Sequence, residues 1–234
     1  MRITEQKKDL LDGIEGIIFD LDDTLYLQKD FKISGFHAVA RWMEKNGYAA
    51  KPVVMAALHT ILEQHGPSYP YMFNRLVERL ALADTLAPQL VQVLVQHPPD
   101  INLFPRVREM LSCLRKRYKL GILTDGRLQV QKAKVQALGL EPLVEAILYS
   151  ESLGLSKPAE QLFTWFEDHF HLPAQALVYI ADNPSKDFIG ANRRGWRTIR
   201  VLTGEHANQR AHSALKASAV IANVRDCATP ETGS

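Results

Sequence analysis

This chain of 234 residues has little cysteine, no excess of one charge and no long apolar run. Its two cysteines, Cys113 and Cys227, lack CxxC spacing and cannot form a disulfide framework or a metal cluster. The 28 basic and 26 acidic side chains nearly balance, which argues against a large nucleic-acid interface. No apolar stretch approaches a membrane span, and the first ten residues are too charged for a signal peptide. We therefore expect a cytoplasmic protein that binds neither membrane nor nucleic acid.

The pattern of apolar residues predicts an α/β protein with a doubly wound parallel sheet. A short β-branched run at residues 14–19 is typical of a buried strand. From residue 103 onward short apolar runs alternate with amphipathic segments, and strands that alternate with helices pair in parallel. The strands predicted there are 119–124, 144–149, 176–181, 198–202 and 219–221, and the predicted helices are 107–118, 128–138, 158–170 and 186–194.

The segment between these two parts, residues 31–97, shows helical periodicity and no convincing strand. Breaks that contain glycine or proline divide it into four predicted helices. We therefore expect a core domain made of residues 1–26 and 99–234, interrupted by an all-helical domain at residues 27–98. A chain of this length is long enough for both.

An acidic cluster, Asp20-Leu-Asp22-Asp-Thr24, directly follows the first predicted strand. Parallel sheets bind ligands at the carboxyl ends of their strands. Because side chains alternate along an extended chain, Asp20 and Asp22 are expected to face one crevice while Leu21 points into the protein. The cluster by itself fits a turn at a strand end equally well, since Asp and Thr are common in turns.

Further polar residues lie just after other predicted strands or in the adjoining loops. Each one alone has a structural explanation: Thr124 fits a helix cap, Lys157 a solvated loop lysine, and Asp187 an acid in the first turn of a helix. As a set, their order and their placement near strand ends indicate one functional site. The set consists of Thr124 with Asp125 and Gly126, Lys157 before Pro158, and Asp182 with Asp187.

These residues resemble the motifs of the haloacid dehalogenase-like hydrolase superfamily, and the resemblance extends along almost the whole chain. The first motif, DxDxT, is Asp20 to Thr24; the others are Thr124, Lys157-Pro158 and Asp182 to Asp187. The resemblance implies a Rossmann-like core with an inserted helical cap. There are two departures: Ala181 stands where the family usually has Gly, and Asp125 stands where it has Asn or Ser.

The resemblance implies a Mg²⁺-dependent phosphomonoesterase that forms an aspartyl-phosphate on a small phosphorylated metabolite, such as a sugar phosphate or nucleotide. Phosphoryl transfer needs an in-line nucleophile, a cation and preorganised donors, and the motifs offer all three. Asp20 would be the nucleophile and Asp22 the general acid and base, with Thr124 and Lys157 completing the catalytic set. Mg²⁺ would be held by Asp20, the Asp22 carbonyl and Asp182, supported by Asp187, and the phosphate by Thr124, Asp125, Gly126 and Lys157.

Substrate choice is expected to come from the helical segment, because a cap closes over the site and contacts the leaving group. Each candidate is explained at least as well as a solvated or packing side chain. The candidates are Tyr26, Arg75 and Arg127, followed by Lys29, Tyr69 and His97.

Three other functions remain open from the sequence. A phosphomutase differs only in how it excludes water, and a monomer or a homodimer fits either enzyme. A 2-haloacid dehalogenase is disfavoured by the carboxylate of Asp22, since carbon–halogen displacement needs neither a leaving-group acid nor Mg²⁺. A degenerate binding module is disfavoured because it need not keep Asp20 together with Asp182.

Overall fold

The structure, a computed structural model, describes residues 10–210 and 216–227; the charged start of the chain, residues 1–9, lies outside the described part. Six strands form one parallel sheet in the order β3-β2-β1-β4-β5-β6. They are β1 (Gly16–Phe19), β2 (Lys119–Thr124), β3 (Ala146–Tyr149), β4 (Leu177–Ala181), β5 (Arg197–Val201) and β6 (Ala219–Ile221). The predicted α/β fold with a doubly wound parallel sheet is confirmed.

Helices cover both faces of the sheet, because residues of strands β1 to β4 alternate between two apolar cores. Ile17 and Phe19 of β1 face one core, while Ile18 faces the other. The first core is closed by α5 (Val107–Leu114) and α6 (Leu128–Ala137), and the second by α7 (Gln161–Phe170) and α8 (Asp187–Arg194). Buried on both faces, the strands carry near-continuous apolar sequences.

Four helices between β1 and β2 form what we call the helical insertion. They are α1 (Gln28–Lys45), α2 (Lys51–His65), α3 (Met72–Arg79) and α4 (Ala87–Gln96). Their apolar faces pack on one another in a third core, which draws only on residues of the insertion. The two connections to the sheet lie side by side, where the Phe104 N–H donates to the Leu25 carbonyl at 3.0 Å and Tyr26 bridges to Leu103.

Element boundaries differ from the predictions by a few residues at some ends. The helix predicted at 158–170 begins at Gln161, because residues 156–159 close a turn in which the Ala159 N–H donates to the Ser156 carbonyl. The helix predicted at 107–118 ends at Leu114, beyond which the chain tightens into turns that lead into β2. No helix within the described ranges is long and apolar enough to cross a membrane.

Candidate active site

The carboxyl ends of β1 and β4 bring two motif residues, Asp20 and Asp187, together around the ammonium group of Lys157. Lys157 Nζ donates to Asp20 Oδ1 at 2.6 Å and to the Tyr179 hydroxyl at 3.0 Å, and it lies 2.7 Å from Asp187 Oδ1. Burial disfavours the charge of Lys157, but Asp187 and Asp20 outweigh it and raise its pKa well above 10.5. Lys157 is therefore a fixed, buried cation beside Asp20.

Backbone geometry explains why these side chains meet. Asp20 follows β1 directly, and its N–H continues the ladder by donating to the Ile180 carbonyl of β4 at 2.9 Å. Asp187 is the first residue of α8, and its Oδ2 accepts from the Asn183 N–H at 2.9 Å. Adjacent parallel strands thus deliver the first and fourth motifs to one edge of the sheet.

An acidic cluster of Asp20, Asp182 and Asp187 fits a divalent cation. One carboxylate oxygen of each lies within 4.8 Å of the others, and all three residues are buried. Asp182 Oδ2 is buried without a hydrogen-bond partner. Burial, together with the charges of Asp20 and Asp187, raises the pKa of Asp182 to about 9. Oxygen ligands of this type suit Mg²⁺, which would supply the missing positive charge.

The nucleophile candidate, Asp20, also carries a raised pKa. Burial raises it and Asp187 adds to the effect, while Lys157 lowers it; the result is a pKa of about 6. The second oxygen of Asp20 accepts from the Thr24 hydroxyl at 3.4 Å. Both oxygens therefore have a neighbour that fixes the side chain.

The carboxylate of Asp22 turns away from the acidic cluster toward α6. Lys134 Nζ donates to both of its oxygens, at 2.7 and 2.9 Å, and Gln131 Nε2 donates to Oδ2 at 3.0 Å. The Tyr26 hydroxyl also donates to Asp22. Burial opposes ionisation of Asp22, but Lys134 and these hydrogen bonds prevail and lower its pKa below 3.8.

Gln131 and Lys134 are site residues that the sequence reasoning missed. They lie one turn apart on the buried face of α6, among the apolar residues Val135 and Leu138. The sequence could have indicated them, because they are polar side chains at helical spacing on an otherwise apolar helix face. Gln131 also donates to the Thr124 hydroxyl, so α6 links the second motif to Asp22.

The other residues predicted to bind phosphate lie at the end of β2 and in the loop that follows it. Thr124 is buried at the end of β2, and Gly126 has φ of +130°, a conformation that favours glycine. Asp125 accepts from the Lys157 N–H, at 3.2 Å to each carboxylate oxygen, and Lys186 Nζ lies 3.7 Å from it. Asp125 thus holds the loop that carries Lys157.

Asp23, which follows Asp22 in the first motif, joins the cleft to the insertion. It has φ of +56°, and its carboxylate accepts from the Gln28 N–H at 2.8 Å and the Glu205 N–H at 3.1 Å. Ser68 of the insertion donates to Glu205 Oε2 at 2.6 Å. A cleft of about 100 Å³ lies beneath this contact, lined by Asp20, Asp22, Asp182 and Lys186 among others.

A larger cavity of about 390 Å³ lies between the insertion and α6, and we call it the insertion cavity. It opens beside Asp22, and its wall combines cationic, amide and apolar side chains. Its polar members include Gln28, Lys32, Tyr69, Arg127, Gln131 and Lys134, and its apolar members include Phe31, Phe36, Met72, Phe73, Leu94 and Val130.

The candidate specificity residues lie in different parts of the structure. Arg127 and Tyr69 line the insertion cavity, but Tyr26 is fully buried and donates to Asp22, so it is not free to face a substrate. Arg75 lies in another surface depression, paired with Glu78 at 2.8 Å.

The two remaining candidates also lie apart from the cavity wall. Lys29 is exposed on α1. His97 is buried against Phe31, with ring centroids 5.0 Å apart, and bonds Ser34 and the Leu94 carbonyl.

Comparisons with known proteins agree with this arrangement. The family model for haloacid dehalogenase-like hydrolases matches residues 17–201. Glyceraldehyde 3-phosphate phosphatase of Methanocaldococcus jannaschii is 30% identical over 200 residues, which cover 82% of this chain and 87% of that one. Phosphoserine phosphatase of Thermus thermophilus is 25% identical, over 80% and 88% of the two chains. The solved 2-haloacid dehalogenase of Pseudomonas syringae is similar with a TM-score of 0.61 and 25% identity, over 91% and 95%.

Proposed function

This chain belongs to the haloacid dehalogenase-like hydrolase family and is an enzyme of the phosphatase type, and we propose that it is a Mg²⁺-dependent phosphomonoesterase with Asp20 as nucleophile. One observation carries the proposal: Asp20 is held by Lys157 at 2.6 Å beside Asp182, a buried acid with an unpartnered oxygen. A site that combines a buried lysine with a metal ion binds anionic oxygens, and a phosphate monoester carries such oxygens.

The reaction follows in two steps from the placement of the carboxylates. In the first, an oxygen of Asp20 attacks phosphorus, the ester P–O bond breaks, and the departing oxygen receives a proton from Asp22, which is ionised in the free site and must take up that proton when the substrate binds. In the second, water attacks the aspartyl-phosphate, Asp22 takes a proton from that water, and inorganic phosphate leaves with Asp20 restored. Asp22 faces the insertion cavity, where the leaving group would lie.

The remaining charges organise the phosphate. Mg²⁺, held by Asp20, Asp182 and the Asp22 carbonyl, would offset negative charge on the phosphate oxygens. Lys157 contributes a second fixed cation, and Asp187 keeps it in place through the 2.7 Å ion pair. Thr124 and the Gly126 N–H would donate to the remaining phosphate oxygens.

Lys134 is a positioning residue in this scheme. Its two hydrogen bonds, with those of Gln131 and Tyr26, fix the rotamer of Asp22 toward the cavity. A general acid or base must lie within hydrogen-bond reach of the atom that it serves. The orientation of Asp22 thus depends on a lysine from another part of the chain.

The division into a cap and a core also belongs to this proposal. Residues 27–98 would act as a cap over a core of residues 1–26 and 99–234, since the insertion packs around its own apolar core and covers the cleft. The substrate would be a small phosphorylated metabolite, in keeping with relatives named for small phosphate esters. These names, and the second carboxylate at Asp22, favour hydrolysis over dehalogenation.

Release of inorganic phosphate from a panel of phosphorylated metabolites, with and without Mg²⁺, tests the function. The wild-type protein should release phosphate only with Mg²⁺, and Asp20→Asn should lower kcat at least ~1,000-fold because no nucleophile remains. Asp12→Asn is the matched control, because Asp12 is an exposed acid shortly before β1; this variant should keep full activity.

Two results would contradict the proposal. If no ester, including p-nitrophenyl phosphate, is hydrolysed with Mg²⁺, the chain is a degenerate binding module. Equal activity in Asp20→Asn and the wild type would remove Asp20 from the nucleophile role.

A further inference from the structure

The insertion cavity holds two cationic side chains that have no anionic partner. Lys32 lies on α1 of the insertion and Arg127 at the start of α6, so they approach the cavity from opposite sides. Within residues 10–210 and 216–227, neither side chain forms a hydrogen bond or an ion pair. Lys134, in the same wall, is by contrast fully engaged with Asp22.

Lys32 is in an unfavourable environment for a lone ammonium group. It is half-buried, and burial together with the charge of Lys134 lowers its pKa, although Asp22 and Glu205 offset part of this effect. A buried charge is costly unless it is paired. An anion that enters the cavity would supply the pairing that the protein leaves open.

The anions already in the wall cannot serve this purpose. Asp22 is bound by Lys134, Gln131 and Tyr26, and Asp125 accepts from the Lys157 N–H. The unmatched charge of the cavity is therefore positive. Its apolar side chains, which include Phe36 and Phe73, leave room for a carbon skeleton beside the charge.

We propose that the substrate is a phosphate monoester whose leaving group carries a second anionic group, a carboxylate or a second phosphate, bound by Lys32 and Arg127. This inference rests on the proposed phosphatase function, because the leaving group of an ester attacked by Asp20 would extend past Asp22 into the cavity. Guanidinium and ammonium groups both bind carboxylate and phosphate through charge-assisted hydrogen bonds.

Matched substrate pairs test the inference. 3-Phosphoglycerate and glycerol 3-phosphate differ only in a carboxylate against a hydroxymethyl group, and fructose 1,6-bisphosphate and fructose 6-phosphate differ in a second phosphate. With Mg²⁺, the wild-type kcat/KM should be ~10–100-fold higher, in at least one pair, for the substrate whose leaving group carries the additional carboxylate or phosphate. The pair that responds distinguishes a carboxylate from a phosphate.

Two variants connect the preference to the cavity. Lys32→Met removes the charge at similar length and should lower the kcat/KM ratio within the responding pair ~10-fold or more. Lys29→Met, an exposed lysine on the same helix, is the matched control and should leave the ratio unchanged. If Lys32→Met does not fold, Arg127→Gln at the exposed start of α6 answers the same question.

Equal kcat/KM values within both pairs would overturn the inference, as would an equal loss of the ratio in Lys29→Met. Either result leaves the proposed function standing if p-nitrophenyl phosphate is hydrolysed with Mg²⁺. Absence of hydrolysis of every ester, in contrast, is a failure of the proposed function itself.

Discussion

The cleft at the end of β1 and the insertion cavity beside it differ in how completely the protein satisfies their charges. In the cleft, Lys157 is shared between Asp20 and Asp187, and Asp182 Oδ2 is buried with neither a hydrogen bond nor an ion pair. In the cavity, Lys32 and Arg127 have no anionic partner within the described part of the chain. The cleft therefore lacks a cation, whereas the cavity lacks an anion.

Under the proposed function, this difference assigns catalysis to the cleft and substrate specificity to the cavity. The cleft is built on the rigid ends of two neighbouring strands, and its unmatched carboxylate fits a metal ion. The cavity is built from helices of the insertion and from α6, and its unpaired cations could bind an anionic part of a substrate. Asp22 lies at the border and is fixed by α6.

The largest effect is expected from Asp182→Asn, which removes the unmatched negative charge of the cleft. Activity with Mg²⁺ should fall at least ~1,000-fold, because the metal loses a carboxylate ligand. In EDTA the unfolding free energy of the variant should exceed that of the wild type by about 2 kcal/mol, because the folded wild type must either protonate this buried acid, whose pKa is raised to about 9, or keep its charge beside Asp20 and Asp187.

Urea denaturation with and without Mg²⁺ completes this test. Mg²⁺ should raise the unfolding free energy of the wild type, because a ligand that binds the folded state stabilises it, and should do so much less for Asp182→Asn. A variant that is less stable than the wild type in EDTA would show that Asp182 contributes favourable contacts rather than repulsion.

A smaller effect is expected from Lys134→Met, which releases Asp22 at the border of the two regions. We expect kcat to fall ~10–100-fold with little change in KM, because the acid and base loses its orientation while the phosphate site remains. Steady-state kinetics on the best ester of the panel measures both constants.

Lys134→Arg separates positioning from packing, because it keeps the donor and the charge. It should recover part of kcat, whereas equal losses in the Met and Arg variants would indicate that only the shape of Lys134 matters. A change confined to KM would argue that Lys134 binds substrate directly.

The smallest effect is expected at Glu167, which forms an ion pair with Arg194 far from both regions. It serves as a reference for the contribution of a partly exposed ion pair. Burial would raise the pKa of Glu167, but hydrogen bonds from Arg194 and from Trp196, at 2.8 Å, lower it below 4.5. Because the pKa of Glu167 is lower in the folded than in the unfolded protein, ionised Glu167 stabilises the fold. This stabilisation is complete above pH 4.5 and is lost as the pH falls through the pKa of the folded state.

Glu167→Gln should therefore cost about 1 kcal/mol of unfolding free energy at neutral pH and progressively less in acid. Urea denaturation at several pH values measures the difference. Glu160→Gln is the control, since its pair with Arg193 is exposed and 3.7 Å long. A cost for Glu167→Gln that does not diminish in acid would exclude the ion pair as its cause.

Much of the fold was predictable because strands and helices of an α/β sheet carry distinct apolar periods. The strands at Lys119–Thr124 and Ala219–Ile221 have the predicted limits, since a buried strand between polar ends leaves a sharp pattern. Helix ends were less predictable: the helix after Pro158 starts three residues late because a local turn competes with it.

The motif residues were predictable as a set, and the structure brings Asp20, Lys157, Asp182 and Asp187 together at one edge of the sheet. Strand-end placement and chain order are visible in a sequence, and parallel pairing then forces proximity. Gln131 and Lys134 were missed because their role depends on which face of α6 turns toward Asp22.

The sequence by itself determined the fold class, the helical insertion and the residues of the cleft, because these follow from local periodicity and from motifs at strand ends. Only the tertiary structure decided that Asp22 turns to Lys134, that Arg75 lies at the surface, and that Lys32 meets Arg127 across a cavity. Such contacts join helices that are distant in the chain, and their geometry depends on packing angles that a pattern of apolar residues does not encode.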